Sequence, residues 1–253
     1  MNEMVTTNGN REMVQSSGRV EVYGADELDR SDMILPRLRV RQPTSQFGAP
    51  SDAGALYNNI TECFQGEVEA VVLRVSKGRV MWDADDMDTP KCASNNNKVP
   101  RDDIADPITS NCATCPMAIW GDDTPPECSL VYTYLIANIS DDNMPMLLSA
   151  MRTSIKAAKK LNSLIMAYGL SRKVVITTEL CSGDKGQWYE LRFRAGDKLT
   201  ADEVDFYSGL ATSMAAIDVT VDTEPELDAD DLGESVEMSD ADNLTVIDLN
   251  APF

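Results

Sequence analysis

The chain has 253 residues, of which 43% are hydrophobic, and its 42 acidic and 22 basic side chains give a formal net charge of −20. This length and hydrophobic content are typical of one elaborated globular domain or two small ones, and no apolar run approaches the roughly 20 residues of a membrane helix. Histidine is absent, which excludes a Ser-His-Asp triad, a Cys-His nucleophile pair and a His-bound zinc site.

The N-terminal residues are polar and have no clear period, so we expect a flexible segment over residues 1–30. They lack the basic start and apolar stretch of a signal peptide, which favours a cytoplasmic protein. In that compartment the six cysteines indicate thiols or metal ligands rather than disulfides. No phosphate-binding Gly-Lys loop or Gly-x-Gly-x-x-Gly turn occurs, so nothing predicts a nucleotide-binding fold.

Strand patterns dominate the next part of the chain. Alternation in MILPRLRVRQ predicts a strand with Leu38 and Val40 on one face and arginines on the other. The stretch EVEAVVLRVSKGRVMWDAD predicts a hairpin that turns at residues 76–78. Two further hairpins are predicted, which turn at residues 140–143 and 182–186.

Two helices are predicted beside these strands. The first, RTSIKAAKKLNSLIMAYG, has its N-cap at Thr153 or Ser154 and ends at Gly169. The second, TADEVDFYSGLATSMAAI, begins with Thr200 and Glu203 in a capping-box arrangement.

These elements predict one domain over residues 31–217 of a mainly β, α+β class. The element order fits an elaborated OB-like antiparallel barrel with two helices and a four-cysteine insert at residues 84–128, although an α+β sandwich fits nearly as well. From residue 218 the chain becomes acidic and loses apolar periodicity. We therefore expect a disordered acidic tail over residues 218–253 that ends in an apolar tip.

The insert holds four cysteines with the spacing C-x19-C-x2-C-x12-C: Cys92, Cys112, Cys115 and Cys128. A C-x-x-C pair can place two thiolates on one ion, and two more thiolates complete a tetrahedral shell. The insert is rich in Asp, Asn and Pro, so a structural metal is expected, with zinc as the first choice. An iron–sulfur cluster and four unligated thiols are the alternatives. Cys63 and Cys181 lie in apolar, strand-like stretches and are expected to be buried.

The charges are unevenly distributed along the chain. The last 55 residues carry 15 acids and no Lys or Arg, whereas residues 143–198 carry ten bases and four acids. Residues 83–142 hold 12 acids and three bases. This asymmetry predicts a basic surface for an anionic polymer beside an acidic interaction tail.

Binding of single-stranded nucleic acid needs cations for the phosphates and flat side chains for the bases. The candidates for these two roles are Arg37, Arg39, Arg41, Arg79, Trp82, Arg152, Lys156, Lys159, Lys160, Arg172, Lys173, Trp188, Arg192 and Arg194. Alternation places Trp188 on the same strand face as Arg192 and Arg194, which favours a stacking role for its indole. Aromatic residues on strands belong more often to the core, and the lysines of the first helix also fit a merely solvated face.

The chain ends in DLNAPF after the acidic spacer. Such an acidic segment can compete with phosphates for the chain's own basic surface, and its apolar tip can enter a pocket on another protein. The ending resembles the C-terminal tails of bacterial single-stranded DNA-binding proteins, where acids precede an Ile-Pro-Phe tip. Asp248 and the sequence Ala251-Pro252-Phe253 match that pattern, with Ala in place of Ile. Acidic, Phe-ending tails of phage single-stranded DNA-binding proteins are similar, and ILPRLRVRQ, the CxxCP stretch and RTSIKAAKKLNSL resemble stretches of such phage proteins.

The resemblance implies an OB-fold body that binds single-stranded DNA without catalysis. It also implies a tail whose Asp248, Pro252 and Phe253 recruit replication or recombination enzymes, in the host cell cytoplasm if the chain is phage-encoded. Two alternatives remain open. One is a DNA-processing nuclease with an iron–sulfur cluster or zinc, in which a divalent ion would be held near Glu179, Asp184, Lys185 and Glu190. The other is a metal-stapled adaptor that binds proteins and no DNA, which suits the sequence pI of about 4.2.

Overall fold

A computed structural model describes residues 34–45, 47–82, 89–121, 124–183 and 186–222. The chain divides into the unit Met1–Ile34, of which only Ile34 is described, and the unit Leu35–Phe253, which holds every helix and strand named below. The predicted N-terminal segment over residues 1–30 lies outside the described residues. Within those residues, no helix has both the length and the apolar character needed to cross a membrane.

Nine strands of the described residues form one curled, half-barrel sheet. They are β1 (Arg37–Val40), β2 (Leu56–Asn58), β3 (Phe64–Gln65), β4 (Val68–Trp82), β5 (Pro90–Ser94), β6 (Ser129–Asn138), β7 (Met144–Met151), β8 (Arg172–Gly183) and β9 (Gly186–Lys198). Their order is β3-β2-β1-β7-β6-β4-β8-β9, with β5 paired to β4. The β1–β7 pair is parallel and the other pairs are antiparallel. With two helices, this confirms the predicted mainly β, α+β class and its OB-like curled sheet.

The two predicted helices are present as α1 (Ile155–Tyr168) and α2 (Ala201–Ser213). The capping box of α2 is confirmed: the Thr200 hydroxyl accepts the Glu203 N–H at 3.2 Å, and the Glu203 carboxylate accepts the Thr200 N–H at 2.8 Å. At the start of α1, Ser154 makes no capping bond and instead accepts the Leu191 N–H at 3.1 Å. Helix α1 is therefore tied directly to β9. It ends at Gly169, whose φ of 56° suits a residue without Cβ.

Each face of the sheet is covered by a different part of the chain. On one face, Ala158 and Leu161 of α1 pack against Tyr134 and Ile136 of β6. On the other, Tyr207 of α2 joins apolar side chains of β4 and β6. Because side chains alternate across a strand, β6 is buried on both faces, and its sequence is almost continuously apolar.

After α2, residues 217–222 run over the face of the sheet that α2 covers, which we call the outer face. We call these residues the crossing segment. Val219 is 5% exposed and packs against β6 and β7, and Val221 is 2% exposed and packs against β4 and β6. The predicted start of the disordered tail at residue 218 is therefore too early, because the packed body extends to Asp222. The remainder of the predicted tail, residues 223–253, lies outside the described residues.

The hairpin predicted over β4 is wrong, because β4 is one continuous strand of 15 residues. It pairs with β6 along most of its length, with β8 at its start and with β5 at its end. Gly78 permits a close approach rather than a turn, since a Cβ there would overlap the Ser94 carbonyl oxygen and Cγ2 of Val221. The other two predicted hairpins are confirmed as β6–β7 and β8–β9.

Candidate nucleic-acid interface

A cleft of about 560 Å³ is lined by β1, the loop that follows it, the ends of β4 and β7, and β9. Four side chains that the sequence analysis named as DNA contacts line it together: Arg39, Trp82, Arg152 and Trp188. Gln42, Thr44 and Ser149 add polar groups to the walls. Two guanidinium groups and two indoles around one cleft match the needs of phosphates and bases respectively.

Trp188 is held in place by a hydrogen-bonded chain on β9. Its indole N–H donates to Glu190 Oε1 at 3.1 Å, and Glu190 Oε2 accepts a hydrogen bond from Arg192 Nη1 at 2.8 Å. The predicted shared face of Trp188 and Arg192 is confirmed. Burial alone would raise the pKa of Glu190, but the hydrogen bonds from Trp188 and Arg192 hold it below its usual 4.5. The carboxylate that orients the indole is therefore ionised at neutral pH.

The loop after β1 is fixed to β9 at one wall of the cleft. Gln42 donates to the Tyr189 carbonyl and accepts the Tyr189 N–H, each at 2.8 Å. Its side-chain amide therefore pairs with β9 as the backbone of a neighbouring strand would. Arg41 is only 3% exposed, and its guanidinium donates to the carbonyls of Phe47, Gly48 and Gln42. Arg41 shapes this loop and cannot reach a DNA phosphate, so we remove it from the proposed contacts.

Arg152 lies on the cleft wall between β7 and α1 with a backbone φ of 47°. A residue with a side chain rarely adopts this left-handed conformation, which costs about 1–3 kcal/mol and is typical of functional sites. Its side chain is exposed. Trp82 on the same cleft is half-buried, because it packs against the cluster of Val80, Val131 and Val221. Trp82 therefore lines the cleft and also belongs to the apolar core.

Arg37 and Arg39 meet the crossing segment on the outer face of β1. Arg39 donates to both carboxylate oxygens of Asp222, at 3.0 and 2.8 Å. Arg37 donates to the Thr220 hydroxyl at 3.0 Å, and its Nε lies 3.6 Å from Asp222 Oδ1. Asp222 also lines the cleft, so the cleft already contains one carboxylate.

Two of the predicted cations hold loops in place. Arg79 donates to Asn97 Oδ1 at 2.6 Å and to the Cys128 carbonyl at 3.1 Å, so it fastens the insert to β4. Arg172 donates to the Gly196 carbonyl at 3.0 Å and stacks 4.9 Å above the centre of the Tyr168 ring. Both guanidinium groups are bound within the protein.

Three further predicted cations are paired with acids. Lys173 lies 3.6 Å from both Glu69 and Glu203. Burial alone would lower the pKa of Lys173, but these carboxylates raise it above its usual value. Arg194 pairs with Glu67 at 3.2 Å, and Arg192 pairs with Glu190 and Glu179.

The three predicted lysines of α1 are exposed: Lys156, Lys159 and Lys160.

The four cysteines of the insert are all buried. Cys92 lies on β5 opposite Met81, in the same apolar cluster as Cys128, so the insert begins as part of the sheet. Cys112 begins the 3₁₀ turn Cys112–Thr114, and Cys115 lies between this turn and the next one, Pro116–Ala118.

The insert thiols are close enough to affect one another. Burial raises the pKa of Cys92 and raises that of Cys128 to about 11, and the neighbouring insert thiols add to both shifts. Over the described ranges, no group of three or more His, Cys, Asp or Glu side chains is arranged to hold a metal ion. The expectation for the other two cysteines is wrong, since Cys63 is exposed and Cys181 is only half-buried.

The candidate nuclease carboxylates face an arginine. Glu179 and Glu190 are paired positions of β8 and β9, and both contact Arg192. Asp184 and Lys185 lie outside the described residues, as do the tail residues Asp248, Pro252 and Phe253.

Sequence reasoning missed two polar residues of this cleft, Gln42 and Asp222. The pairing of Gln42 with Tyr189 joins positions 147 residues apart, and no local pattern announces it. Asp222 is one acid in a long acidic stretch, so only its contacts distinguish it.

A family model described as "Pam3 phage gp34-like protein" matches residues 7–217, a span that includes all nine strands and both helices. The match indicates a phage protein, and the family description names no activity. No curated protein matches the chain, and no solved structure does.

Proposed function

The chain belongs to the Pam3 phage gp34-like protein family, and from that premise we propose that it binds single-stranded DNA and catalyses no reaction. The observation that carries this proposal is the cleft that joins Arg39, Arg152, Trp82 and Trp188. Guanidinium groups neutralise phosphates, and indoles stack on bases without regard to sequence. A protein of this kind serves phage DNA replication or recombination, where single strands are exposed.

A single strand suits the cleft better than a duplex. The two indoles act on base faces, which a duplex hides in its stack. The cleft volume of about 560 Å³ lies in the range of small-molecule sites, so it holds only a few nucleotides. The exposed Lys156, Lys159 and Lys160 follow Arg152 in the chain, and in this proposal they extend the path of the phosphates along α1.

We assign the acidic tail a recruiting role. In this proposal Phe253 is the buried anchor, Pro252 limits the flexibility of the tip, and Asp248 supplies a charge for a basic rim. The partners are replication or recombination proteins that act on the same single strand.

We also propose that Cys92, Cys112, Cys115 and Cys128 bind one structural zinc ion. Their burial and the apolar cluster that Cys92 shares with Cys128 support this assignment, because thiolates are the ligands that zinc prefers when histidine is absent. The four sulfurs would hold the ion and so would join β5 to the stretch of the two 3₁₀ turns. In the proposal its role is to stabilise the insert, and no chemistry on DNA is assigned to it.

The nuclease and adaptor alternatives lead to different observations. A nuclease needs carboxylates that face a divalent ion, whereas Glu179 and Glu190 face Arg192. Cleavage of DNA that depends on Mg²⁺ would favour the nuclease. An adaptor fits the net charge of −20, and absence of DNA binding at low salt would favour it.

The test of the proposal is titration of the full-length protein into a fluorescently labelled oligo-dT strand, with anisotropy as the readout, at several salt concentrations. We expect binding that strengthens with strand length, falls linearly with salt on a double-logarithmic plot and is weaker for a matched duplex. No binding to oligo-dT at low salt contradicts the proposal.

A further inference from the structure

Arg37, Arg39 and Asp222 lie together where β1 meets the crossing segment. Arg39 contacts both oxygens of the Asp222 carboxylate, at 2.8 and 3.0 Å, in the geometry that guanidinium groups use for carboxylates and phosphates alike. Arg37 places its Nε 3.6 Å from one of those oxygens. Two arginines therefore converge on one anionic group that the chain itself supplies.

The guanidinium of Arg37 has one N–H donor that makes no hydrogen bond among the described residues. The side chain of Arg37 is 11% exposed, and its Nη1 is buried without an acceptor among the residues that the structure describes. Its Nη2 donates to Thr220, so the unused donor belongs to the same guanidinium that flanks Asp222. A carboxylate has two oxygens in one plane, whereas a phosphate has up to four in a tetrahedron. A phosphate therefore offers acceptors in directions that a carboxylate does not.

The position of Asp222 allows it to leave without unfolding the outer face. Its neighbour Val221 is fully buried and its backbone N–H donates to Asn95 at 3.0 Å. These contacts anchor the crossing segment one residue before the carboxylate. A rotation of the Asp222 side chain would break its contacts with Arg37 and Arg39 while Val221 keeps its place.

We propose that Arg37 and Arg39 form a phosphate-binding site in which Asp222 occupies the phosphate position until a phosphate displaces it. The inference rests on the proposed function, since the phosphate is taken to be a backbone phosphate of the strand in the cleft. Arg39 and Asp222 line that cleft together with Trp82 and Trp188. A phosphate at this site would therefore belong to a nucleotide whose neighbours reach the indoles. Asp222 makes weak ligands compete with an internal anion, so it favours long strands over isolated phosphates.

The experiment compares Asp222→Asn with Asp218→Asn. Asp218 is exposed on the same stretch, so both variants remove one negative charge from nearly the same place. We expect Asp222→Asn to bind oligo-dT about tenfold more tightly than the wild type, and Asp218→Asn to bind as the wild type does. The gain should vanish in the double variant Asp222→Asn, Arg39→Gln. Equal affinities of the two Asn variants overturn the inference and leave DNA binding itself intact.

A second readout separates the two proposals. The ¹⁵N-labelled full-length protein is titrated with inorganic phosphate, and the Arg39 Nε–H signal is followed by NMR, in the wild type and in Asp222→Asn. We expect the signal to move at lower phosphate concentration in the variant. If oligo-dT does not bind but this shift occurs, the phosphate site stands without DNA. If phosphate moves the signal in neither the wild type nor a folded Asp222→Asn variant, the site is refuted.

Discussion

Trp188 donates its indole N–H to Glu190 at 3.1 Å, and that carboxylate is at the same time paired with Arg192 at 2.8 Å. The indole on the cleft wall is therefore oriented by an ion pair rather than by core packing alone. This arrangement separates the group proposed to stack on a base from the groups that hold it, and each can be tested by its own substitution.

Replacement of Trp188 by Ala should weaken binding to oligo-dT. Base stacking contributes about 1–3 kcal/mol, which corresponds to a loss of roughly 5- to 150-fold in affinity. Trp188→Phe should retain most of the affinity. The control is Trp120→Ala, because Trp120 is 71% exposed in the insert and lies off the cleft. If both Ala variants bind as the wild type does, the Trp188 indole lines the cleft but does not stack on a base.

The Glu190 carboxylate predicts a pH-dependent contribution to stability. Its pKa in the folded protein is below the ordinary 4.5, so its contribution is complete above that value and is lost as pH falls through the folded pKa. The melting temperature of the wild type should therefore exceed that of Glu190→Gln near neutral pH, and the gap should narrow below pH 4.5. A gap that stays constant into acid would show that ionisation of Glu190 is irrelevant.

The charge of Arg152 and its strained backbone should have separate effects, on DNA binding and on stability respectively. With φ at 47°, Arg152→Gly relieves a conformation that costs about 1–3 kcal/mol. We expect its melting temperature to equal or exceed that of the wild type, while its affinity for oligo-dT falls and its salt dependence becomes shallower by about one phosphate contact. Arg194→Gln, which removes an exposed arginine paired with Glu67, should leave both unchanged. Unaltered DNA binding by Arg152→Gly would count against the cleft.

Two glycine substitutions test the packing of the outer face. Gly78→Ala should destabilise the protein by about 1–3 kcal/mol, because the new methyl group overlaps the Ser94 carbonyl and Val221. Gly209→Ala in α2 should stabilise it by about 1 kcal/mol, since nothing lies within 4 Å of the new atom and Ala favours a helix. Chemical denaturation measures both. If Gly78→Ala leaves the free energy of unfolding unchanged, the crossing segment does not pack closely against β4 at Gly78.

Metal content tests the zinc proposal. The full-length protein purified without chelator should contain one zinc per chain by elemental mass spectrometry. Cys115→Ser should lose the metal and melt at a lower temperature, whereas Cys63→Ser should retain it, since Cys63 is exposed and outside the insert. Iron with visible absorbance would indicate the cluster alternative. Wild type without any bound metal contradicts both forms of the proposal.

Much of the fold could be predicted from local sequence. The Thr200–Glu203 capping box, the end of α1 at Gly169 and two hairpins depend on residues close together in the chain, and all of them are present. The hairpin at Gly78 failed because a glycine that admits a neighbouring backbone looks, in sequence, like a glycine that makes a turn. The crossing segment was missed although Ile217, Val219 and Val221 alternate with polar residues, because this alternation is short and opens a long acidic stretch.

The site was harder to predict, since an arginine's role depends on what lies next to it in space. Alternation correctly placed Trp188 with Arg192, but it did not show that Glu179 and Glu190 would surround Arg192. Arg41 continues the arginine pattern of β1, and yet it is buried under its own loop. These outcomes follow from contacts between distant segments, which one-dimensional patterns do not encode.

The most direct measurement is ultraviolet crosslinking of oligo-dT to the full-length protein, followed by mass spectrometric mapping of the crosslinked peptides. The account predicts crosslinks at Trp82, Trp188 and the stretch around Arg152, all lost when an excess of unlabelled strand competes. Crosslinks confined to Trp120 or to the outer face of α2, with none on the cleft, would contradict it.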